Sequence, residues 1–122
     1  MNKLLIDSRE DSKLTDEVLI KCHEMNIQFE KEWLEIGDYT FNDVCFEAKS
    51  AYDFLLSVLN KRLWNQLDNM DRAFDNNLVI VYGSFQDAYK EYRQYGKSPY
   101  GMVKNKFYGA MGKIILDLDC NI

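Results

Sequence analysis

Two patterns of apolar residues follow one another along the chain, and they predict its strands and helices. Continuous or alternating apolar runs are typical of strands, whereas apolar residues spaced three and four apart are typical of helices. The runs predict six strands, at residues 2–7, 27–36, 39–41, 44–49, 78–83 and 114–119. The helical spacing predicts four helices, at residues 14–25, 51–74, 84–95 and 102–113. Their order indicates an α/β fold of three layers, in which helices flank a central mixed sheet.

Short polar segments separate these elements and indicate where they begin. Gly37-Asp38 and Asn42-Asp43 predict the turns of a meander in the middle of the chain. Ser50 precedes the longest predicted helix and has Asp53 three residues later, which is the spacing of a capping box. The sequence contains no repeat, low-complexity tract or linker, so we expect residues 1–122 to form a single domain.

The composition is typical of a globular protein with one hydrophobic core. Apolar residues make up 47% of the 122 residues and charged residues 29%. No run approaches the roughly 18 consecutive apolar residues of a membrane helix, and the N-terminus lacks the pattern of a signal peptide. The three cysteines are widely spaced, which favours a reducing compartment. We therefore expect an intracellular protein, in the cytoplasm or nucleus, that is neither secreted nor attached to a membrane.

Acidic residues fall at the ends or turns of the predicted strands, namely Asp7, Asp38 and Glu47. Side chains alternate along a strand, so Glu47 and Lys49 face the same way and Ala48 faces the other. Carboxylates from adjacent strands, with a backbone carbonyl such as that of Ala48, could hold a hard divalent cation. Such an ion would polarise a phosphodiester, and Lys49 would orient water or neutralise charge. The alternative is an ordinary turn aspartate beside a solvated Glu47–Lys49 ion pair.

A longer motif gives these residues a context. It consists of D-x-R-E, then GD, then E-x-K-x-x-x-D, and then a helix with a serine followed by R-L-x-x-Q. The matching residues are Ile6–Glu10 (IDSRE), Gly37-Asp38-Tyr39, Glu47-Ala48-Lys49, Asp53, Ser57, Arg62-Leu63 and Gln66. This arrangement resembles the nuclease domain of the XPF family of structure-specific endonucleases, in the PD-(D/E)xK superfamily. The motif covers the chain up to residue 83, and beyond it only the order of elements matches.

The resemblance implies a restriction-endonuclease-like core and a metal-dependent endodeoxyribonuclease that leaves 5′-phosphate and 3′-hydroxyl ends. It implies Asp7, Asp38, Glu47 and Lys49 as the catalytic and metal-binding residues, with Mg²⁺ or Mn²⁺ as the ion. The Ala48 carbonyl is the further ligand that the strand geometry suggests. Glu10 and Asp53 would support them. The substrate would be branched DNA or a junction of single and double strands, in DNA repair or recombination. The chain would act as a homodimer or with a DNA-binding partner protein.

Two departures from the family favour a rival function. Ala48 stands where the family has arginine, and residues 1–122 contain no helix-hairpin-helix module of the kind that supplies much of the junction binding in the family. The formal net charge of −5 also argues against strong non-specific electrostatic binding of DNA, so we expect this chain alone to bind DNA weakly. The rival is a catalytically silent module of the same fold that acts as a protein scaffold in a DNA-processing complex.

Candidates outside the acidic residues also have two interpretations each. Arg62 and Gln66 lie one helical turn apart and would hold a phosphate near the site, or form a solvated face. Asp53 would either cap its helix or support the metal site. In the last third of the chain, lysines alternate with tyrosines, which suits contact with a nucleic-acid backbone and unpaired bases but also a polar helix face. The predicted DNA-binding residues are Lys61, Arg62, Lys97, Lys104 and Lys106.

Overall fold

The computed structural model describes residues 3–117, 120 and 122, and a five-stranded mixed sheet lies at its centre. The strands are β1 (Leu4–Asp7), β2 (Phe29–Glu32), β3 (Tyr39–Phe41), β4 (Val44–Ser50) and β5 (Asn76–Tyr82). The helices are α1 (Lys13–Met25), α2 (Ala51–Leu59), α3 (Arg62–Ala73), α4 (Phe85–Tyr92) and α5 (Tyr100–Asp117).

The strands lie in the order β2-β1-β3-β4-β5, and two parallel pairs flank the central meander. β1 is parallel to β2, and β4 is parallel to β5, whereas β3 is antiparallel to both of its neighbours. The connection from β1 to β2 and the connection from β4 to β5 lead towards opposite edges of the sheet. Because such connections are right-handed, α1 lies on one face and the α2–α3 pair on the other. The predicted three-layer α/β architecture is confirmed.

The main core lies between β4–β5 and the later helices. Phe54, Leu55 and Leu63 are fully buried there, and the Phe54 ring meets Phe107 of α5 edge to face at 5.2 Å between centroids. Such aromatic pairs favour this geometry beyond the area they bury. The core therefore fixes α2, which directly follows the strand that carries Glu47 and Lys49.

Serine side chains start three of the helices. Each accepts a hydrogen bond from the backbone N–H three residues later, which satisfies a donor that the helix itself leaves unpaired. The pairs are Ser12 with Thr15, Ser50 with Asp53 and Ser84 with Asp87. The predicted cap at Ser50 is confirmed, and it fixes the point at which β4 ends and α2 begins.

The prediction of one continuous helix over residues 51–74 is wrong, because the chain breaks between α2 and α3. The Asn60 side-chain oxygen accepts the Arg62 N–H at 3.0 Å, and Lys61 adopts a left-handed backbone with φ of 66°. Asparagine side chains compete with helical hydrogen bonds in this way. The apolar spacing continues across the break, which is why periodicity did not reveal it.

The predicted strand over residues 114–119 is also wrong as far as Asp117, since α5 extends to that residue. Val103, Phe107, Ala110 and Ile114 form one buried helical stripe against the core, and this packing outweighs the β-propensity of the isoleucines. Residues 118 and 119 lie outside the described residues. In the part of the chain that the structure describes, no helix is both long and apolar enough to cross a membrane.

Boundaries of other elements also differ from the predictions, as in β2 and β5. The strand predicted at 27–36 is only Phe29–Glu32, and residues 33–38 form a loop that leads into β3. β5 begins at Asn76 rather than at residue 78, because Asn76 to Tyr82 pair in parallel register with Val44 to Ser50. Pairing with β4 thus recruits two asparagines that their residue type alone assigns to a turn.

Candidate active site

Acidic residues from two strands and two loops meet at the end of the sheet where β1 reaches its last residue. The Asp7 N–H donates to the Asp38 carbonyl at 2.8 Å, and the Asp38 N–H donates to the Phe46 carbonyl at 2.9 Å. Asp38 is thereby held between β1 and β4, and its charge acts on both Glu10 and Glu47. The structure therefore brings Asp7, Glu10, Asp38 and Glu47 together, and with Lys49 they are called the acidic centre below.

Asp38 is held by the backbone of β4. One of its carboxylate oxygens, Oδ2, accepts the Ala48 N–H at 2.7 Å. This contact uses only the main chain of Ala48, so it does not require the arginine that the XPF motif has at this position. The departure at Ala48 therefore leaves the position of Asp38 intact.

Glu47 and Lys49 form an ion pair that is largely shielded from water. Lys49 Nζ lies 3.4 Å from Glu47 Oε2, and the Lys49 and Glu47 side chains are only 9% and 15% exposed. The pair is thus not the solvated surface pair that was the ordinary alternative. Charges at this depth are costly to keep unless another group or ion compensates them.

Burial and repulsion raise the pKa of two carboxyl groups in the acidic centre. Burial, followed by the charge of Asp38, raises the pKa of Glu47 to about 7. The same two causes, with a hydrogen bond to Asp38, raise the pKa of Glu10 to about 7. Burial also raises the pKa of Asp38, against the opposing hydrogen bond from Ala48. The centre therefore gathers more negative charge than it can hold fully ionised at neutral pH.

Asp7 is buried but differs from the other acids because Arg9 holds it. Burial alone would raise the pKa of Asp7, yet hydrogen bonds from Arg9 and from the Leu34 N–H outweigh burial and lower it. Arg9 Nε lies 3.2 and 3.1 Å from the two carboxylate oxygens, and the Leu34 N–H donates to Oδ1 at 3.2 Å. This role of Arg9 was not predicted, although the D-x-R-E motif contained the signal.

The acidic centre fits a cation held by few protein ligands. Across residues 3–117, 120 and 122, no group of three or more His, Cys, Asp or Glu side chains is arranged to hold a metal ion. The oxygens of Asp7 already accept hydrogen bonds from Arg9 and Leu34. Asp38 and Glu47 remain as adjacent carboxylates whose repulsion a hard divalent cation would relieve. The side-chain donors suit an ion bound by these two carboxylates, with a backbone carbonyl and water as its other ligands.

The remaining predicted residues lie on the helices and the later loop. Asp53 lies in the first turn of α2, where its backbone N–H donates to the Ser50 side chain. This bond establishes Ser50 as the cap, and the role of the Asp53 carboxylate stays a prediction. Gln66 is half-buried, and its side-chain oxygen is buried without a hydrogen-bond partner. The predicted DNA-binding residues are all exposed, namely Lys61, Arg62, Lys97, Lys104 and Lys106.

Some of these basic residues share a surface that includes a residue absent from the prediction. Lys61 and Lys106 line one groove together with Trp64 and Lys113. Lys113 Nζ lies 4.8 Å from the centre of the Trp64 ring. Trp64 packs against the core, as expected for a structural residue. The sequence separation of α3 and α5 hid this grouping, because only tertiary packing brings the two helices together.

The family model described as the ERCC4 domain matches residues 6–122 of this chain. The chain belongs to the ERCC4 domain family. The match covers the D-x-R-E segment, the acidic centre and all the helices after it. The resemblance to the XPF nuclease domain, which the motif indicated, is thereby confirmed.

The chain is also similar to longer proteins, of which it spans only part. A protein of Methanocaldococcus jannaschii named "Putative ATP-dependent RNA helicase" is 35% identical over 116 residues, which is 94% of this chain and 12% of that protein. XPF from Aeropyrum pernix aligns with a TM-score of 0.74 at 22% identity, over 98% of this chain and 54% of that one. Its complex with DNA gives 0.74 at 21% identity, over 99% and 55%. The two solved structures establish the shared fold.

Proposed function

We propose that this chain is a divalent-metal-dependent endodeoxyribonuclease that cuts branched DNA or junctions of single and double strands, in DNA repair or recombination. One observation supports this above the others: Asp38, Glu47 and Lys49 meet at one end of the sheet with their charges largely shielded from water. Membership of the ERCC4 domain family and the shared fold with XPF support the same chemistry.

Each residue of the acidic centre would have its own role in this reaction. Asp38, Glu47 and the Ala48 carbonyl would hold Mg²⁺ or Mn²⁺, which when bound polarises a phosphodiester and acidifies a water ligand. Lys49, placed 3.4 Å from Glu47, would orient the attacking water or neutralise the charge that grows on the phosphate. Glu10 shares a hydrogen bond with Asp38 and would keep a proton between the two carboxyl groups until a cation replaces it. Asp7 would act through water or through Arg9 rather than as a preassembled ligand.

DNA is the substrate that the comparisons favour. The XPF structure from Aeropyrum pernix includes a complex with DNA, and the exposed basic residues of this chain suit phosphate contacts. Arg62 and Gln66 would contact the backbone near the cut, and Asp53 would keep α2 in place. The formal net charge of −5 implies that affinity comes from a second subunit or a DNA-binding partner protein.

A homodimer is the partner arrangement that the surface of α5 supports. Tyr108, Ile115 and Leu116 are 50%, 55% and 82% exposed, although such side chains usually lie inside. A second copy of the chain that covered this surface would bury apolar area and double the number of DNA-binding residues.

The rival function is a silent nuclease-fold scaffold, and one observation favours it. No cage of three ligating side chains is present among the described residues, and Arg9 and Leu34 already bind Asp7. A scaffold would retain the fold and the partner surface without binding a cation.

Cleavage assays separate the two functions. Labelled flap, fork and four-way DNA would be incubated with Mg²⁺ or Mn²⁺ and with wild type, Asp38→Asn, Glu47→Gln or Lys49→Ala. We expect cutting by the wild type and a loss of at least about a hundredfold in each variant, because each removes charge that acts on the transition state. Glu17→Gln, an exposed change on α1, is the matched control and should cut normally.

The outcomes are distinct. No cutting at high protein concentration and low salt, together with no Mn²⁺ binding in calorimetry, would reject the nuclease and favour the scaffold. Cutting that survives in the Asp38→Asn variant would trace the activity to a contaminant or to a different site.

A further inference from the structure

A large aromatic side chain stands exposed next to the acidic centre. Trp33 follows β2 and is 65% exposed. Tryptophan is usually largely buried, so an exposed one beside a candidate catalytic site invites a binding role. The other tryptophan, Trp64, is instead packed against the core.

Backbone contacts on both sides hold Trp33 in place. The residue before it, Glu32, accepts a hydrogen bond at its carbonyl from the Ser8 N–H at 2.7 Å. The residue after it, Leu34, donates its N–H to Asp7 and accepts a hydrogen bond at its carbonyl from Arg9 Nη2 at 2.7 Å. Trp33 is thus attached on either side to the end of β1 and the segment after it, and this region supplies Asp7 to the acidic centre.

Arg9 connects the Trp33 ring to the acidic centre directly. Its guanidinium carbon lies 4.8 Å from the ring centre, while its nitrogens bind the Asp7 carboxylate. A guanidinium over one face of the indole fixes the orientation of the ring. The large exposed fraction leaves the rest of the ring available to a ligand.

These features suit one kind of ligand. Bases inside a duplex are already stacked on each other, whereas an unpaired base has a free face that stacks on aromatic side chains. We propose that Trp33 is a stacking platform for an unpaired base in a nucleic acid strand bound at the acidic centre. This inference rests on the proposed function, and it would make the chain prefer substrates with a single-stranded arm.

Fluorescence of Trp33 provides the test. In the Trp64→Phe variant Trp33 is the sole tryptophan, and it would be titrated in EDTA with a single-stranded oligonucleotide, a blunt duplex and an abasic strand of equal length. We expect saturable quenching by the single strand and little by the other two, since they offer phosphates but no free base. Trp33→Ala and Trp33→Phe lack the reporting tryptophan, so their binding would be followed by anisotropy of a labelled single strand. Trp33→Ala should weaken single-strand binding by about tenfold or more, and Trp33→Phe should weaken it less.

Each other result overturns the inference. The first is no quenching at saturating oligonucleotide, and the second is equal quenching by the duplex or the abasic strand. The third is a signal that depends only on protein concentration, which would indicate a contact between copies of the chain. Quenching without cleavage in Mg²⁺ or Mn²⁺ would retain the platform and reject the nuclease. Cleavage without quenching would retain the nuclease and reject the platform.

Discussion

Glu47 illustrates how a single residue couples the acidic centre to pH. Its pKa rises from an ordinary value of 4.5 to about 7, through burial first and the charge of Asp38 second. The folded protein therefore keeps a proton on Glu47 over a pH range in which the unfolded chain releases it. Between about pH 4.5 and 7 the folded state binds more protons, so the free energy of unfolding falls as pH rises through this window.

This sign gives a testable pH dependence for the metal-free protein. In EDTA, we expect the wild type to lose roughly 1–3 kcal/mol of stability between about pH 5 and pH 8, measured by urea unfolding. Glu47→Gln should lose clearly less, because glutamine does not titrate, whereas the exposed Glu17→Gln should behave as wild type. Mg²⁺ should restore stability at about pH 8, since a cation stabilises the ionised carboxylates. A stability that rises with pH in EDTA would contradict the charge distribution described here.

At the scale of elements, the break between α2 and α3 shows a local conflict between side chain and helix. The bond from Arg62 N–H to the Asn60 side chain ends one helix and starts the next. It places Lys61 in the left-handed region, which glycine adopts without steric cost and lysine does not. The apolar residues on either side still reach the same core.

Lys61→Gly should therefore stabilise the protein. We expect a gain of about 0.5–1 kcal/mol, because the strain at the positive φ outweighs the greater freedom of glycine in the unfolded chain. The matched control is Lys106→Gly inside α5, which should lose about 1 kcal/mol in helix propensity. Urea unfolding of both variants measures the difference. Destabilisation by Lys61→Gly would mean that the lysine side chain makes a stabilising contact at the break.

At the scale of the whole molecule, surface charge and exposed apolar area point towards assembly. The acidic balance of the chain opposes DNA binding by one copy, while α5 presents large apolar side chains to solvent. Clusters of exposed apolar side chains mark interaction sites in soluble proteins. Assembly through α5 would leave the acidic centre open, because that centre is built at the end of β1 rather than on α5.

Disruption of this surface should change the oligomeric state without unfolding the chain. Sedimentation of the wild type should give the mass of a dimer, and Leu116→Glu should give that of a monomer, since the charge would be desolvated in the interface. Lys113→Glu, a change of charge on the same helix, provides a control for charge alone. A wild type that stays monomeric at high concentration would exclude this homodimer and leave a heterologous partner.

The sequence by itself determined the elements whose cause is local. Alternation along β4 placed Glu47 and Lys49 on one face, and Ser50 marked the start of α2. The motif around Asp38 was sufficient to indicate the family. These features depend on neighbours within a few residues, where the spacing of side chains fixes their direction.

Only the tertiary structure decided the features that depend on distant neighbours. The extension of α5 through Ile114 follows from burial against the core. Arg9 and Asp7 are held together partly by Leu34 of the loop after β2, which accepts a hydrogen bond from Arg9 and donates one to Asp7. The raised pKa of Glu47 depends on desolvation by the assembled fold. Trp33 is a candidate because the fold leaves it exposed beside Arg9. Packing and solvent exclusion are properties of the folded whole, so no pattern along the chain expresses them.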